Sequence, residues 1–303
     1  MNFLRDKFDF INHNAEKVNF PIKINIRLLQ ENILKYKDKS NLKSKLTSVF
    51  TEILKEGQLI IKKDFKNNND GLFCLASYSH LIEQIIQMLF EFGSETINGL
   101  DNIVVVSTGG FGRRELAPNS DIDLLFLAGP MKSETRNELI SFVLYILWDL
   151  GLKVSHSTRT VCQTMKDAEK DINFRTSILD IRNLVGNNNI FEELKDKIQL
   201  LQNKSRDEFK IIKLKEQVER HKLSGGSRYM LEPNIKEGKG CLRDLNTLVW
   251  ITKYHFKIFN FLQIKKLNKC LAGELKNFYQ ALGFIASVRC CLHYISKTEN
   301  NVL

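Results

Sequence analysis

Long stretches of the chain have a helical pattern of apolar residues, and they flank a central region in which apolar residues follow one another directly. Residues 1–65 predict amphipathic helices, because apolar positions recur at steps of three and four, as in Leu42, Leu46, Val49, Phe50, Ile53 and Leu54. Residues 66–71, KNNNDG, are polar and rich in turn formers and predict a linker. A further helix is expected over residues 72–92.

The central region has the pattern of β-strands. IVVVS at Ile103–Ser107 is a β-branched run that ends at Gly109 and Gly110, and residues 121–127 form a second apolar run. Residues 134–150 then return to helical spacing, and residues 153–160 predict a third strand that closes a small mixed sheet. From residue 161 onward the pattern is helical, except in 224–240, a glycine-rich segment with Pro233 that predicts an ordered functional loop.

Composition narrows the class of protein only in part. With 303 residues and 43% apolar content the chain can form more than one packed unit. The net charge of +10 is compatible with a nucleic acid, an anionic surface or a polyphosphate substrate, and equally with a general lysine bias. Six cysteines without a CxxC pair argue against a zinc site and a disulfide framework. No apolar stretch reaches membrane length and no signal-peptide pattern is present, so we expect a cytoplasmic protein.

Two aspartates in the second strand are the first sign of chemistry. Asp121 and Asp123 are two residues apart, so the period of a strand places both carboxylates on one face. Two adjacent carboxylates repel each other, and a cation between them relieves that repulsion. Oxygen ligands at this spacing suit Mg²⁺, which completes its coordination with water and substrate phosphates. A lone DxD motif also occurs on solvated strand ends.

The glycines before this strand predict a phosphate-binding turn. Gly109 and Gly110 have no Cβ atom, so the backbone can approach a triphosphate and offer its N–H groups. Arg113 and Arg114 add positive charge beside them. No lysine follows the glycines as a P-loop requires, and the third glycine of a dinucleotide-binding fold is missing.

Together these residues resemble a known family. The segment GGFGRRELAPNSDIDLLFL at 109–127 is similar to the nucleotidyltransferase signature of the bacterial protein-PII uridylyltransferase/uridylyl-removing enzymes. The similarity continues in four later segments, namely GLKVSHSTRT at 151–160, TSILDIRNLVG at 176–186, LEPNIKEGKGCLRDLNTLVWI at 231–251 and LGFIASVRCCLH at 282–293.

The resemblance implies an α+β fold, with a polymerase-β-like nucleotidyltransferase domain with a small mixed sheet over 66–165 and a mainly helical domain over 166–303. The helical extension over residues 1–65, predicted from its apolar pattern, precedes them. The resemblance also implies transfer of UMP from UTP to a tyrosine of the PII signal protein, with Mg²⁺ as cofactor and pyrophosphate as product. Asp121 and Asp123 would hold the metal, and the nucleotide-binding residues would be Gly109, Gly110, Arg113, Ser120, Lys236 and Arg243.

Several other polar residues have two alternative explanations each. The superfamily has a third carboxylate, for which Asp180 is the first candidate and Asp171 the second, although either is equally well explained as a helix-surface charge. Asp244, like Arg243, either meets the nucleotide and braces the site or serves in capping and salt bridges. His156 and Arg159 lie on the third predicted strand, where packing is an alternative to catalysis for His156.

Three alternatives remain open from sequence alone. The chain could transfer another nucleotide or use another acceptor, could be a non-catalytic paralogue that binds nucleotide or PII, or could act on tRNA, which the C-terminal motifs disfavour. Members of the family continue into an HD-type phosphohydrolase domain and two ACT domains, so we expect a chain of 303 residues without a His-Asp pair to lack UMP removal.

Overall fold

The structure, a computed structural model, describes residues 39–97, 102–129, 134–223, 231–267 and 272–303. The helices expected before residue 39 lie outside the described residues. The described helices are α1 (Lys39–Asn68), α2 (Gly71–Thr96), α3 (Gly109–Gly112), α4 (Glu134–Asp149), α5 (Val161–Lys170), α6 (Ile172–Ser177), α7 (Asn188–Lys204), α8 (Arg206–Leu223), α9 (Leu242–Phe256), α10 (Gln263–Lys266) and α11 (Ala272–Ser296). The strands are β1 (Ile103–Ser107), β2 (Ile122–Ala128), β3 (Val154–Arg159) and β4 (Arg182–Gly186), and a 3₁₀ turn covers Ile178–Asp180.

The predicted linker at 66–71 is wrong in extent. Helix α1 continues to Asn68, and the break before α2 is only two residues long. Asn69 takes a left-handed conformation with φ of 52°, and Asp70 caps α2 by accepting a hydrogen bond from the Phe73 N–H at 3.2 Å. Because one left-handed residue and a cap suffice to reverse the chain, α1 folds directly back onto α2.

Four strands form the sheet in the order β3-β2-β1-β4. Strand β1 is antiparallel to both β2 and β4, whereas β2 and β3 are parallel. The central strands β1 and β2 are buried on both faces, which explains their unbroken apolar runs. Ile103 and Val105 face a core formed with α1, α2 and α4, while Val104 and Val106 face a second core formed with α7, α8 and α9.

Strand β4 corrects the helical interpretation of the residues after 161. It is five residues long, pairs with β1 and contains a register shift opposite Val105 and Val106. The sheet therefore uses residues beyond 165, the predicted end of the sheet-containing domain. A strand this short carries too few alternating positions to stand out from the helices around it.

The C-terminal half covers one face of the sheet and returns to the N-terminal half. Helix α11 packs along α2, and α8 pairs with α9. The predicted loop at 224–240 is confirmed as non-helical over its described part, residues 231–240. There, Asn234 bridges to Val302, and the Ile235 N–H donates to the Asn301 carbonyl at 2.8 Å. Among the described residues, no helix combines the length and the apolar character of a membrane span.

Candidate active site

A cleft of about 640 Å³ opens between the sheet and the helices of the C-terminal half. One wall consists of the turn after β1 and the start of β2, and it contains Gly109, Asp121 and Asp123. The opposite wall, called the helical wall below, consists of side chains from α8, α9, α11 and the segments on either side of them. The predicted phosphate turn and the predicted metal ligands therefore lie in the same cavity.

Asp121 and Asp123 both line the cleft on the sheet side. Asp123 has the same strand parity as Leu125 and Leu127, which face the core formed with α7, α8 and α9. Burial and the neighbouring charge of Asp121 raise the pKa of Asp123 to about 6. Among the described residues, no cation lies within salt-bridge distance of either carboxylate. The two carboxylates thus form an anionic pair that a divalent cation fits by both charge and ligand type.

Ligands for such a cation come from two residues rather than from a cluster. The described part of the chain contains no group of three or more His, Cys, Asp or Glu side chains arranged around one point. Mg²⁺ is commonly held by one or two carboxylates together with water and substrate phosphates, so Asp121 and Asp123 fit this ion rather than a fully protein-coordinated metal.

The turn after β1 brings backbone N–H groups to the same wall. Gly109 has φ of +56°, and a Cβ atom there would lie 3.1 Å from the Asp123 Oδ2. Gly112, which the sequence analysis did not single out, packs so closely on the Asp180 carbonyl oxygen that a Cβ atom would lie 1.5 Å from it. Glycine at 109 thus favours the left-handed backbone and leaves room for Asp123, whereas glycine at 112 is required for space.

The two arginines after the glycines point to different places. Arg113 lines the cleft and pairs with Glu115 at 2.7 Å and with Asp180. Arg114 has φ of +61°, is buried, and pairs with Glu83 of α2 at 3.4 Å. The expectation that both arginines add charge beside the phosphate turn is therefore corrected for Arg114, because the left-handed backbone turns its side chain into the core.

Asp180 is fully buried and already neutralised by neighbours. Its carboxylate pairs with Arg113 and with the Lys253 ammonium at 2.6 Å, and it accepts a hydrogen bond from the Trp250 indole at 2.7 Å. Burial alone would raise the pKa of Asp180, but the charges of Lys253 and Arg113 hold it below its usual range. These contacts favour a bracing role, and service as a third metal ligand stays a prediction.

The remaining aspartates of interest also have local partners. Asp171 is exposed and caps α6 by accepting hydrogen bonds from the Asn173 and Phe174 N–H groups. Asp244, in the first turn of α9, accepts from Gln217 at 3.0 Å and from the Gly240 N–H at 2.7 Å, and pairs with Arg220. In both cases the geometry is that of a cap or a brace.

Ser120, Lys236 and Arg243 line the cleft, as expected of nucleotide-binding residues. The Ser120 hydroxyl accepts a hydrogen bond from Arg289 at 2.9 Å. Lys236 pairs with Glu299 at 3.1 Å, and Arg243 pairs with Glu237 at 3.0 Å. Both cations therefore already have a carboxylate partner in the cleft.

The third predicted strand does not supply cleft residues. His156 is exposed on β3, with its ring 5.8 Å from the Trp148 ring. Arg159 pairs with Asp167 at 2.8 Å and lies over the Phe174 ring. Neither residue lines the cleft, which agrees with the packing alternative for His156.

Comparison with known proteins places this cleft in a family. The family model for GlnD PII-uridylyltransferase matches residues 208–303. A bifunctional uridylyltransferase/uridylyl-removing enzyme of Rhodospirillum rubrum is 36% identical over 267 residues, which are 86% of this chain and 28% of the relative. The enzyme of the same description from Bradyrhizobium diazoefficiens is 38% identical over 247 residues, 79% of this chain and 26% of the relative. The chain belongs to the PII-uridylyltransferase family.

This member of the PII-uridylyltransferase family spans about a quarter of the length of those two curated relatives. The family model covers α9, α11 and nearly all of α8, the helices of the helical wall, while the two longer matches extend across most of the chain. The anionic pair and the helical wall are thus both part of a chain related to uridylyltransferases over most of its length.

Three basic residues of the helical wall were missed by the sequence analysis. Lys213 is almost fully buried and pairs with Glu216 at 2.7 Å, Arg220 pairs with Asp244, and Arg289 pairs with Glu299 at 3.6 Å. All three line the cleft. For α8 a signal was present, because positions 213, 216 and 220 share one helical face, whereas Arg289 gives no local sign of its position.

Proposed function

We propose that this chain is a nucleotidyltransferase that transfers UMP from UTP to a tyrosine of the PII protein and releases pyrophosphate. The observation that carries the proposal is the anionic pair, Asp121 and Asp123, which lies in one cleft with the Gly109–Gly112 turn and has no cation within salt-bridge distance in the part of the chain that the structure describes. The related enzymes are uridylyltransferases by name, which supports UMP as the transferred group and PII as the acceptor.

The residues of the cleft have different roles in such a transfer. Gly109 and Gly110 offer backbone N–H groups to the triphosphate, and Arg113, Lys236 and Arg243 bring positive charge to its oxygens. The acceptor oxygen attacks the α-phosphorus, the bond from that phosphorus to the bridging oxygen breaks, and the phenolic proton leaves to solvent. The chain's contribution is to hold the acceptor oxygen, the phosphorus and the leaving pyrophosphate in line.

Asp121 and Asp123 are the residues that would hold Mg²⁺. When bound, this ion supplies electrostatic stabilisation of the charge that builds up on the phosphate oxygens during transfer. Without the ion, the negative charge of the two carboxylates would repel the triphosphate. Burial and the adjacent charge of Asp121 raise the pKa of Asp123 although Lys236 and Arg113 lower it, so the ionised carboxylate is disfavoured in the metal-free protein.

Mass spectrometry of PII tests this proposal directly. Purified PII is incubated with the chain, Mg²⁺ and UTP, and in parallel with ATP, CTP or GTP. The proposal predicts a gain of one uridylyl group on a tyrosine with UTP, and no gain when UTP is omitted or when the Asp121→Asn variant is used. Modification from ATP but not from UTP would instead establish an adenylyltransferase.

A further inference from the structure

Asn246 lies on the helical wall of the cleft and lines the cavity. The residue as a whole is 5% exposed. Within the described parts of the chain, no group donates to or accepts from this amide. A few polar groups that are not used by the protein itself are what orients a ligand in a cleft, so the amide of Asn246 is available to pair with a bound molecule.

The neighbouring hydroxyl groups do not offer the same chemistry. Thr247 donates to the Arg243 carbonyl at 2.7 Å, and Thr176 donates to the Ile172 carbonyl at 2.7 Å. Both hydroxyls are therefore engaged with their own helices. Asn246, by contrast, keeps a donor and an acceptor available side by side.

The position of Asn246 on α9 indicates which part of a bound nucleotide its amide can contact. Arg243, Asn246 and Trp250 are spaced three and four residues apart, so they share one face of the helix, and all three line the cleft. Trp250 contacts Asp180, the partner of Arg113 beside the phosphate turn. Asn246 lies one helical turn, about 6 Å, further along the wall.

An apolar side chain lies next to the amide. Leu242 precedes Asn246 by four residues, lines the same cleft and is otherwise buried. An apolar surface beside an amide suits a flat heterocycle, whose face can contact Leu242 while its edge pairs with Asn246. Phosphate groups, in contrast, would find the amide a weak partner beside the arginines and lysines of the same cleft.

We infer that Asn246 is a specificity-determining residue that pairs with the base edge of the bound nucleotide. Its Oδ1 accepts from the ring N–H of uracil, and its Nδ2 donates to an adjacent carbonyl oxygen. This inference rests on the proposed nucleotidyl transfer and adds to it the subsite that holds the base.

The test compares two ligands, UTP and inorganic tripolyphosphate, in calorimetric titrations with Mg²⁺ and without acceptor protein. For Asn246→Leu we expect affinity for UTP to fall about tenfold, because two hydrogen bonds are lost, while affinity for tripolyphosphate stays within about twofold. The matched control is Asn189→Leu, which changes an exposed asparagine of α7 and should alter neither affinity.

A second variant, Asn246→Asp, provides a test that does not depend on whether Asn246→Leu folds. Asn246→Asp has nearly the same shape but can only accept hydrogen bonds, so it should favour a base with an amino group over one with a carbonyl group. After normalisation to tripolyphosphate, we expect its preference for UTP over CTP to fall about tenfold.

Several results would overturn the inference alone. The first is an unchanged affinity for UTP in Asn246→Leu, and the second is an equal loss of affinity for UTP and for tripolyphosphate. The third is an equal loss of affinity for UTP, CTP, ATP and GTP, with no change of preference between UTP and CTP in Asn246→Asp. This third result would indicate a contact with the ribose. If the wild-type chain binds neither ligand, the proposed function itself fails and this inference fails with it.

Discussion

The two walls of the cleft differ in how their charges are balanced. On the sheet wall, Asp121 and Asp123 have no cation within salt-bridge distance among the described residues, and the pKa of Asp123 is raised to about 6. On the helical wall, charged side chains occur in opposite pairs, such as Lys213 with Glu216 and Arg243 with Glu237. The negative charges of the sheet wall thus lack a paired cation among the described residues, whereas the charges of the helical wall are largely paired.

This difference between the walls predicts which residues are needed for activity and which are needed for stability. A buried charge with a bonded partner is held in place, and removing one member of the pair destabilises the fold. A partly buried charge without a partner is unfavourable in the free protein and gains stability only when a ligand arrives. Substitutions on the sheet wall should therefore affect activity, whereas those at the buried pairs should affect stability.

The largest effect is expected from the anionic pair. Asp121→Asn and Asp123→Asn should each lower the rate of nucleotidyl transfer about a thousandfold or more, because a ligand of the cation is lost, while the fold is retained. Rates of PII modification in single-turnover assays measure the change. Asp149→Asn, at a half-exposed position paired with Lys43, is the matched control and should keep full activity. Equal activity of Asp123→Asn and the wild type would remove the distinction between the walls.

The next effect concerns the buried group around Asp180. Asp180→Asn should lower the free energy of unfolding by about 3 kcal/mol, because the buried charge of Lys253 then loses its carboxylate and Arg113 keeps only Glu115. Urea denaturation measures the loss, and adding Lys253→Met should restore part of it. The opposite pattern, unchanged stability together with weakened Mg²⁺ binding, would make Asp180 the third metal carboxylate after all.

A smaller effect is expected at an exposed pair of the helical wall. Arg243→Met should weaken UTP binding about tenfold, because a charge-assisted contact to phosphate is lost. Stability should change by less than about 1 kcal/mol, since the pair with Glu237 is about one third exposed on both sides. Calorimetry and thermal melting separate the two quantities, with Lys197→Met on α7 as the control. A large loss of stability would show that Arg243 is a structural brace only.

The smallest effect is a pH dependence of the metal-free protein. The pKa of Asp123 is raised to about 6 in the folded state, above the value of about 4 expected in the unfolded chain, so the folded state holds a proton more tightly between these values. Stability from this group is fully present below pH about 4 and is lost as pH rises to about 6. The loss should be on the order of 1 kcal/mol, since the cleft admits water, and Asp123→Asn should abolish it. Identical pH profiles of the wild type and Asp123→Asn would contradict the raised pKa.

Local sequence predicted the parts of the site that depend on neighbours along the chain. The period of a strand placed Asp121 and Asp123 in one cleft, and the glycine run predicted the turn beside them. The pattern did not separate Arg113 from Arg114, because their different directions follow from one left-handed residue. That difference depends on the core contact with Glu83, which is distant in sequence.

The rest of the site depends on contacts between distant residues. Asp180 meets Lys253 and Trp250 across about 70 positions of sequence, so its neutralised state leaves no local pattern. Strand β4 was missed because its identity comes from pairing with β1 rather than from its own five residues. On the helical wall, the pair of Lys236 with Glu299 likewise joins residues 63 positions apart.

Thermal melting with and without Mg²⁺ at pH 8 tests most directly whether the anionic pair holds a cation. The account predicts that Mg²⁺ raises the melting temperature of the wild-type chain by at least about 2 °C, through preferential binding to the folded state, and leaves Asp121→Asn and Asp123→Asn unchanged. Both variants should already melt higher than the metal-free wild type, because the repulsion between the carboxylates is gone. An equal Mg²⁺ response in all three proteins, or none in the wild type, would contradict the assignment.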